Sequence, residues 1–179
     1  MRIVIDRGIR GDHPELRRLV AAGFDGVEGS DVEVRVRPAG RPSRSYTGRA
    51  YPTPPRSARL SPGVRYLVVL FVPTVRRNRG YPKTHRYPRL RTAPWITTRD
   101  WRERLLALSA HEACHVRQFR LGLRRSEVEA ERWAKRAIEG GAETGDRDAA
   151  APIEEAPATN RRPEQLTFAL WPASLQNFT

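Results

Sequence analysis

Residues 64–72 read Val-Arg-Tyr-Leu-Val-Val-Leu-Phe-Val and form the most apolar stretch of the chain. This stretch is about half as long as the ~20 residues that a membrane-spanning helix needs. Its β-branched and aromatic side chains favour a strand that is covered on both faces. We therefore predict that it is the central strand of a small sheet. The chain has 179 residues, which suits one such domain with polar appendages.

Shorter patterns predict the partners of this strand. Residues 2–6 and the alternating residues 31–37 have the composition of strands, and residues 44–52 can pair back as another strand before prolines end it. A capping pattern predicts a helix near residues 13–22. Residues 74–96 contain three prolines and no periodicity, so we expect an irregular loop there. Together these patterns predict an α+β fold with a small, mainly antiparallel sheet.

Two more helices are predicted after this loop. A capping-box pattern at residues 97–100 predicts the start of one helix, whose period continues to about Leu121 before Gly122. Ser126 and Glu129 repeat the pattern and predict the start of the next helix, which ends at residues 140–141. Ala, Pro, Glu, Thr and Asp dominate beyond it. We therefore expect one domain over residues 1–140 and an acidic, largely disordered tail over residues 141–179.

The first of these two helices contains an HExxH sequence, from His111 and Glu112 to His115. A helix advances about 100° per residue, so both imidazoles lie on one face with the glutamate beside them. The same face carries Leu105 and Leu108, which predicts that the polar groups are buried at a desolvation cost. A metal ion and its bound water would satisfy all three groups. The pattern therefore predicts two imidazole ligands and a general base.

A third protein ligand would leave the fourth position of a tetrahedral zinc ion open for water. On a projection of the following helix, Glu127 begins the apolar stripe, Glu131 lies at its edge, and Glu129 points to solvent, where it would close the capping box. We predict Glu127 as the third ligand and Glu131 as a group that supports the ligands. The single cysteine, Cys114, excludes a cysteine-built zinc site, and we interpret it as a helix-packing residue.

His111, Glu112 and His115, followed by Glu127-x-x-x-Glu131, resemble the signature of gluzincin metallopeptidases, HExxH with a downstream ExxxD. The sequences of residues 111–118 and 127–134 are also similar to those of compact bacterial zincin-like domains. This resemblance covers about residues 97–139. It implies a zincin-like fold in which His111, His115 and Glu127 bind zinc, Glu112 is the general base, and Glu131 stands where the family has Asp.

The implied activity is hydrolysis of peptide bonds. Zinc would lower the pKa of its bound water toward ~7, and Glu112 would take the proton and pass it to the leaving amine. In zincin-like folds an edge strand beside the active-site helix often pairs with extended substrate, and residues 44–52 or 64–72 are candidates. Support for the oxyanion would come from outside the motif, and four residues of the preceding loop are open candidates: Tyr81, His85, Tyr87 and Arg91.

A different function class is suggested by charge. The formal net charge is +13, but all except two of the 33 basic residues are Arg, and such a bias weakens the inference. Only residues 76–91 combine basic and aromatic side chains without an acid, as phosphate contact with base stacking requires. The alternative function is a basic nucleic-acid-associated binding protein with a structural or vestigial metal site. This loop could instead border the cleft and select acidic peptides. Candidate contacts to nucleic acid or substrate are Arg76, Arg77, Arg79, Tyr81, His85 and Tyr87.

The tail contains an apolar island at residues 165–171, Gln-Leu-Thr-Phe-Ala-Leu-Trp. It resembles the Gln-Leu-x-apolar-x-Leu peptides by which bacterial DNA-polymerase partners bind the sliding clamp, which would imply a docking partner. Together with nucleic-acid binding by the basic loop, this motif would imply a protease that works at DNA. The other interpretation is a terminal segment that packs on the core. No apolar stretch follows the N-terminal positive charge, so we expect a cytoplasmic protein without a membrane partner.

Overall fold

A computed structural model describes residues 1–9, 11–40, 46–73, 80–86 and 90–140. The described part of the chain is α+β, as predicted, with three α-helices and two small sheets. The predicted tail, with its docking motif at residues 165–171, lies outside these residues. In chain order the elements are β1 (Arg2–Ile5), α1 (His13–Gly23), β2 (Val32–Pro38), β3 (Thr47–Tyr51), a short 3₁₀ helix (Arg56–Ala58), β4 (Tyr66–Val72), β5 (Lys83–His85), β6 (Ile96–Thr98), α2 (Trp101–Arg120) and α3 (Glu127–Gly140).

The larger sheet has the strand order β1-β2-β4-β3. The prediction of a mainly antiparallel sheet is wrong, because β1 pairs with β2 and β2 pairs with β4 in parallel, and only β3 and β4 are antiparallel. Helix α1 connects β1 to β2 as the crossover that parallel neighbours require. The chain then runs back along β3 at the edge of the sheet and returns as β4 beside β2.

Strand β4 is the predicted internal strand, and it lies between β2 and β3. Five of its seven residues, from Tyr66 to Leu70, are buried in succession. Because β2 and β3 occupy both of its edges, residues 64–72 have no free edge for a peptide. Strand β3 pairs only with β4 among the described strands, so it keeps one open edge.

One face of this sheet forms the core with α1 and α2. Val32, Val34 and Val36 are fully buried on that face, as their alternation with charged residues predicted. Helix α1 approaches α2 closely at Gly23, where a Cβ atom would lie 2.4 Å from the Cβ atom of Ser109. This contact and the buried valines fix α2 against both α1 and the sheet.

The start of α2 differs from the prediction. Asp100, rather than a residue at position 97, is the N-cap, and its carboxylate accepts hydrogen bonds from the backbone N–H groups of Arg102 and Glu103 at 2.9 and 3.0 Å. Thr97 and Thr98 belong to β6, which pairs antiparallel with β5. The expectation of an irregular loop over residues 74–96 is therefore wrong in part, because this short hairpin begins within it.

None of the helices in the described ranges is both long enough and apolar enough to cross a membrane.

Candidate metal centre

The HExxH residues lie at the most deeply buried part of α2, where every residue from position 107 to position 116 is buried. Helix α1 and the sheet cover one side of this segment, and α3 covers another. His115 is fully buried, Glu112 is 2% exposed and His111 is 8% exposed. The polar groups therefore face one another in the interior, as the position of the motif on the apolar face predicted.

Three ligand atoms converge at this point. The Nε2 atoms of His111 and His115 are 3.1 Å apart, and the Oε2 atom of Glu127 lies 3.2 Å from the first and 3.4 Å from the second. A tetrahedral zinc ion with bonds of about 2.0–2.1 Å separates its ligand atoms by about 3.3 Å. All three separations match that geometry, and the three residues form a group that could hold a metal ion.

A tight hairpin brings Glu127 to the two histidines. Gly122 has a φ of +64°, the left-handed conformation that ends many helices, and the backbone N–H of Leu123 donates to the carbonyl of Gln118 at 2.9 Å. The chain reverses within a few residues, and α3 then packs along α2. The short separation of His115 and Glu127 in the sequence is therefore sufficient, because a tight turn at Gly122 brings the two residues together.

Glu131 contacts His111 on the side away from the convergent atoms. One of its carboxylate oxygens lies 3.2 Å from Nδ1 of His111, and its side chain is almost fully buried. A carboxylate at this position holds the imidazole ring so that the other nitrogen, Nε2, points toward Glu127. The predicted role of Glu131 as a group that supports the ligands requires this contact with His111.

Gln118 contacts His115 as Glu131 contacts His111, and the sequence analysis did not predict this contact. Its Oε1 atom lies 2.9 Å from Nδ1 of His115 and accepts the backbone N–H of Ser126 at 3.1 Å. A backbone N–H can only donate, so the atom facing it is the amide oxygen, and Nδ1 of His115 carries the proton. In the neutral ring this tautomer places the lone pair on Nε2, the nitrogen that faces the other ligands. The spacing of three residues from His115 on a buried helix face was the signal available.

Glu129 also differs from its prediction. The hydroxyl of Ser126 accepts the backbone N–H of Glu129 at 3.3 Å, so the first half of the capping box is present. The backbone N–H of Ser126 donates to Gln118 instead of to Glu129. The carboxylate of Glu129 accepts from Nε2 of Gln118 at 2.8 Å, so Glu129 holds the amide that contacts His115 rather than closing the box.

Replacing Gln118 by Leu should weaken zinc binding by about 10- to 100-fold, because the ring of His115 loses the acceptor that orients it. Competition with a chromophoric chelator measures the zinc dissociation constant. Glu139→Gln, at the exposed end of α3, is the matched control and should bind zinc as the parent chain does. An unchanged dissociation constant in a folded Gln118→Leu chain would show that the amide does not support the site.

Glu112 lies beside the convergent atoms but is not one of them. Its side chain is buried, and its Oε2 atom accepts no hydrogen bond from the described residues. Burial raises the pKa of Glu112, against the opposing effect of His111 and His115. A buried carboxylate oxygen without a donor is costly, so this position suits a water molecule held next to the ligands.

Strand β3 covers the other side of Glu112. A Cβ atom at Gly48 would lie 2.6 Å from Oε1 of Glu112, well inside normal contact distance. Gly48 is therefore needed because the carboxylate approaches the backbone of the edge strand. No sequence pattern predicted this contact, since the two residues are far apart in the chain.

The groups of the cluster shift one another's pKa values. Burial alone would lower the pKa of His111, but hydrogen bonds with Glu127 and Glu131 outweigh it and raise the pKa to about 9. Burial would raise the pKa of Glu127, but His111 and His115 hold it well below its usual range. Two carboxylates thus stabilise a positive charge at this point, and a metal cation would release the proton of His111 on binding.

The centre opens into a cleft of about 370 Å³. Strand β3 supplies Thr47 and Gly48 to its wall, the segment at the end of β5 supplies His85 and Arg86, and α2 supplies Arg104. Arg125 also lines the cleft, and its Nε atom lies 2.7 Å from Oε1 of Glu127. The cleft therefore joins the convergent ligand atoms, the buried Glu112 and the open edge of the sheet.

Among the other predicted contacts that the structure describes, Tyr81 and Arg91 do not line the cleft. Tyr81 packs partly buried against the core, and burial raises its pKa, whereas Arg91 is exposed. His85 is the one described member of the candidate set for nucleic acid or substrate that lines the cleft. Cys114 is fully buried, and burial raises its pKa to about 12, which agrees with a packing role. Four predicted residues lie outside the described ranges: Arg76, Arg77, Arg79 and Tyr87.

A scan against protein-family models, a search of curated proteins and a search of solved structures each found no match to this chain. The described residues nevertheless define a class of site: a His-His-Glu group that could bind a metal, on two packed helices of an α+β fold. We therefore base the functional assignment on this geometry alone.

Proposed function

We propose that the chain is a zinc-dependent metallopeptidase with a zincin-like fold. The observation that carries this proposal is the triangle formed by Nε2 of His111, Nε2 of His115 and Oε2 of Glu127, with separations of 3.1, 3.2 and 3.4 Å. Three nitrogen and oxygen ligands leave the fourth tetrahedral position open, as a catalytic site requires. Glu131 and Gln118 hold the outer nitrogens of the two imidazoles, which is the support that zinc-binding histidines receive.

Zinc held by these residues would lower the pKa of a coordinated water toward ~7 and polarise a carbonyl group. Glu112 accepts the proton of the attacking water at its buried carboxylate and then donates that proton to the nitrogen of the leaving amine. Burial suits both steps, since a raised pKa brings the carboxylate closer to the range in which it can both accept and donate a proton. The walls formed by α2, α3 and β3 limit the access of other water.

The open edge of β3 supports a peptide as the substrate. Thr47 and Gly48 lie on the cleft wall, and the edge of β3 away from β4 has unpaired backbone groups among the described strands. An extended peptide can add to such an edge through main-chain hydrogen bonds. Since Gly48 contacts Glu112, a peptide bound along β3 would pass directly beside the general base.

His85 is the candidate for stabilising the oxyanion. It lines the cleft, and burial together with the neighbouring Arg104 lowers its pKa to about 4, so its ring is neutral at pH 7. A guanidinium only donates, so the ring nitrogen that meets Arg104 is an acceptor and the other nitrogen carries a proton. We assign this N–H the role of donor to the developing negative charge.

Metal analysis with a cleavage assay tests the proposal. The full chain, purified without chelators, should contain one zinc ion per chain by mass spectrometry and should cleave members of a mixed peptide library. Dialysis against 1,10-phenanthroline should remove both the zinc and the cleavage, and added zinc should restore both. Absence of zinc would overturn the metal site, and stoichiometric zinc without any cleavage would favour a structural metal site instead.

A further inference from the structure

Arg104 places a partly buried positive charge on the cleft wall. It lies on α2 about two turns before His111, a separation of about 10 Å along the helix axis. The same helix face therefore carries Arg104 and the metal-ligand histidine, and both line the cleft. Burial is the main effect on the pKa of Arg104, which it lowers, and the negative charge of Glu131 opposes it.

The contacts of Arg104 hold its side chain without neutralising it. Its Nη1 atom meets the ring of His85, and that ring is neutral because its pKa is lowered to about 4. The charge of Glu131 acts on Arg104, but none of the ion pairs of the described residues joins Arg104 to a carboxylate. The other two arginines of the cleft are occupied, since Arg125 pairs with Glu127 and the guanidinium of Arg86 lies 4.7 Å above the ring of Trp95.

A partly buried guanidinium without a directly bound anion favours an anionic ligand, and a carboxylate is the group whose geometry matches it in a bidentate pair. The charge of the whole cleft favours the same ligand. Three arginines and a divalent ion outweigh the three glutamates that line the cleft: Glu112, Glu127 and Glu131. An anion entering the cleft therefore meets a net positive wall, and Arg104 offers it donors that no described carboxylate uses.

We propose that Arg104 binds a carboxylate of the peptide substrate, so that the cleft selects acidic peptides. This inference rests on the proposed peptidase function. An extended peptide advances about 3.3 Å per residue, so the bound carboxylate lies about three residues from the scissile bond. An acidic side chain and the C-terminal carboxylate of a short peptide present the same chemistry to Arg104. His85 positions the guanidinium through its ring nitrogen.

Paired peptides separate these sources. Decapeptides are made in pairs that carry Glu or Gln at one position, and this position is moved along the peptide from pair to pair. Each pair is tested with a free and with an amidated C-terminus. The zinc-loaded full chain should cleave the Glu peptides with a kcat/KM about 10- to 100-fold above that of their Gln twins at one position. If the C-terminal carboxylate is the ligand, amidation instead of Glu-to-Gln exchange should remove the preference.

Variants then assign the preference to Arg104. Arg104→Gln should abolish it, and Arg104→Glu should reverse it toward Lys peptides. Arg102→Gln is the matched control, since Arg102 lies on the exposed face of the same helix and pairs with Glu15. The inference is overturned if the parent chain cleaves both twins equally and cleaves free and amidated peptides equally, or if the preference survives in Arg104→Gln. Either result would leave the peptidase proposal intact.

Equilibrium binding gives a readout that does not depend on cleavage. Fluorescence polarisation with labelled Glu and Gln decapeptides, free and amidated, on the Glu112→Gln chain measures the same selectivity. The Glu112→Gln chain should bind the peptides with the carboxylate more tightly, and the Glu112→Gln, Arg104→Gln double variant should lose this preference. That result supports the anion site even if the parent chain hydrolyses no peptide. Equal binding of both twins and of free and amidated peptides would reject the anion site by itself.

Discussion

Exchange of Glu112 for Gln is expected to lower the kcat of peptide hydrolysis by about 10²- to 10⁴-fold, the contribution of a positioned general base. The amide has nearly the same volume as the carboxylate, so the buried surroundings of residue 112 should be preserved. It cannot accept the proton of the attacking water. Because Glu112 is not one of the three convergent ligand groups, the zinc content should remain one ion per chain.

Parallel measurements make this result specific. Cleavage rates come from chromatography of the peptide products, and zinc content comes from mass spectrometry of the same preparations. Glu103→Gln is the matched control, since Glu103 lies in the first turn of α2, bonded to Arg99. Full activity in Glu112→Gln would reject the general base. Loss of zinc together with activity would show that residue 112 is needed for metal binding rather than for proton transfer.

The local part of the site could be predicted because it depends on helix geometry. His111 and His115 are one turn apart on any helix, and the apolar residues around them indicate which face is buried. Glu127 follows from the same logic, since Gly122 ends α2 and the next helix must pack back on it. Gln118 obeys this geometry too, so its contact with His115 could have been predicted from its spacing.

The start of α2 shows where local patterns compete. Residues 97–100 resemble a capping box, but Asp100 and Glu103 form the same pattern three residues later. The second pattern prevails because β6 takes Thr97 and Thr98 into a hairpin with β5. Strands of three residues are too short to produce a visible period, so neither the hairpin nor its effect on the helix start was predictable.

Strand direction and the wall of the cleft depend on contacts between distant residues. The alternating pattern of β2 predicts which side chains are buried but does not predict whether its neighbours run parallel. The parallel pairs follow from the crossover through α1 and from the insertion of β4 between β2 and β3. The same arrangement brings Gly48 to Glu112 and His85 to Arg104, contacts that no single segment encodes.

Replacement of Gly48 by Ala should impair catalysis far more than folding. The new Cβ atom would lie 2.6 Å from Oε1 and 2.8 Å from Cγ of Glu112, so the buried carboxylate must move. A displacement of about 1 Å in a catalytic group can cost about 100-fold in rate, and we expect a fall of that size in kcat. The bulkier Gly48→Val should reduce kcat further.

Folding should be affected less, because the clash of Gly48→Ala is with a side chain and Ala is acceptable in a strand whose backbone at residue 48 is not left-handed. Zinc content should stay at one ion per chain, since the three atoms nearest to the added Cβ all belong to Glu112 and none to a ligand residue. Thermal unfolding of Gly48→Ala should therefore remain close to that of the parent and of Arg49→Ala, a control on the opposite face of β3. Full kcat in Gly48→Ala would contradict the position of the Glu112 carboxylate between α2 and the edge strand. It would also contradict the proposed role of Glu112 as the general base, which depends on that position.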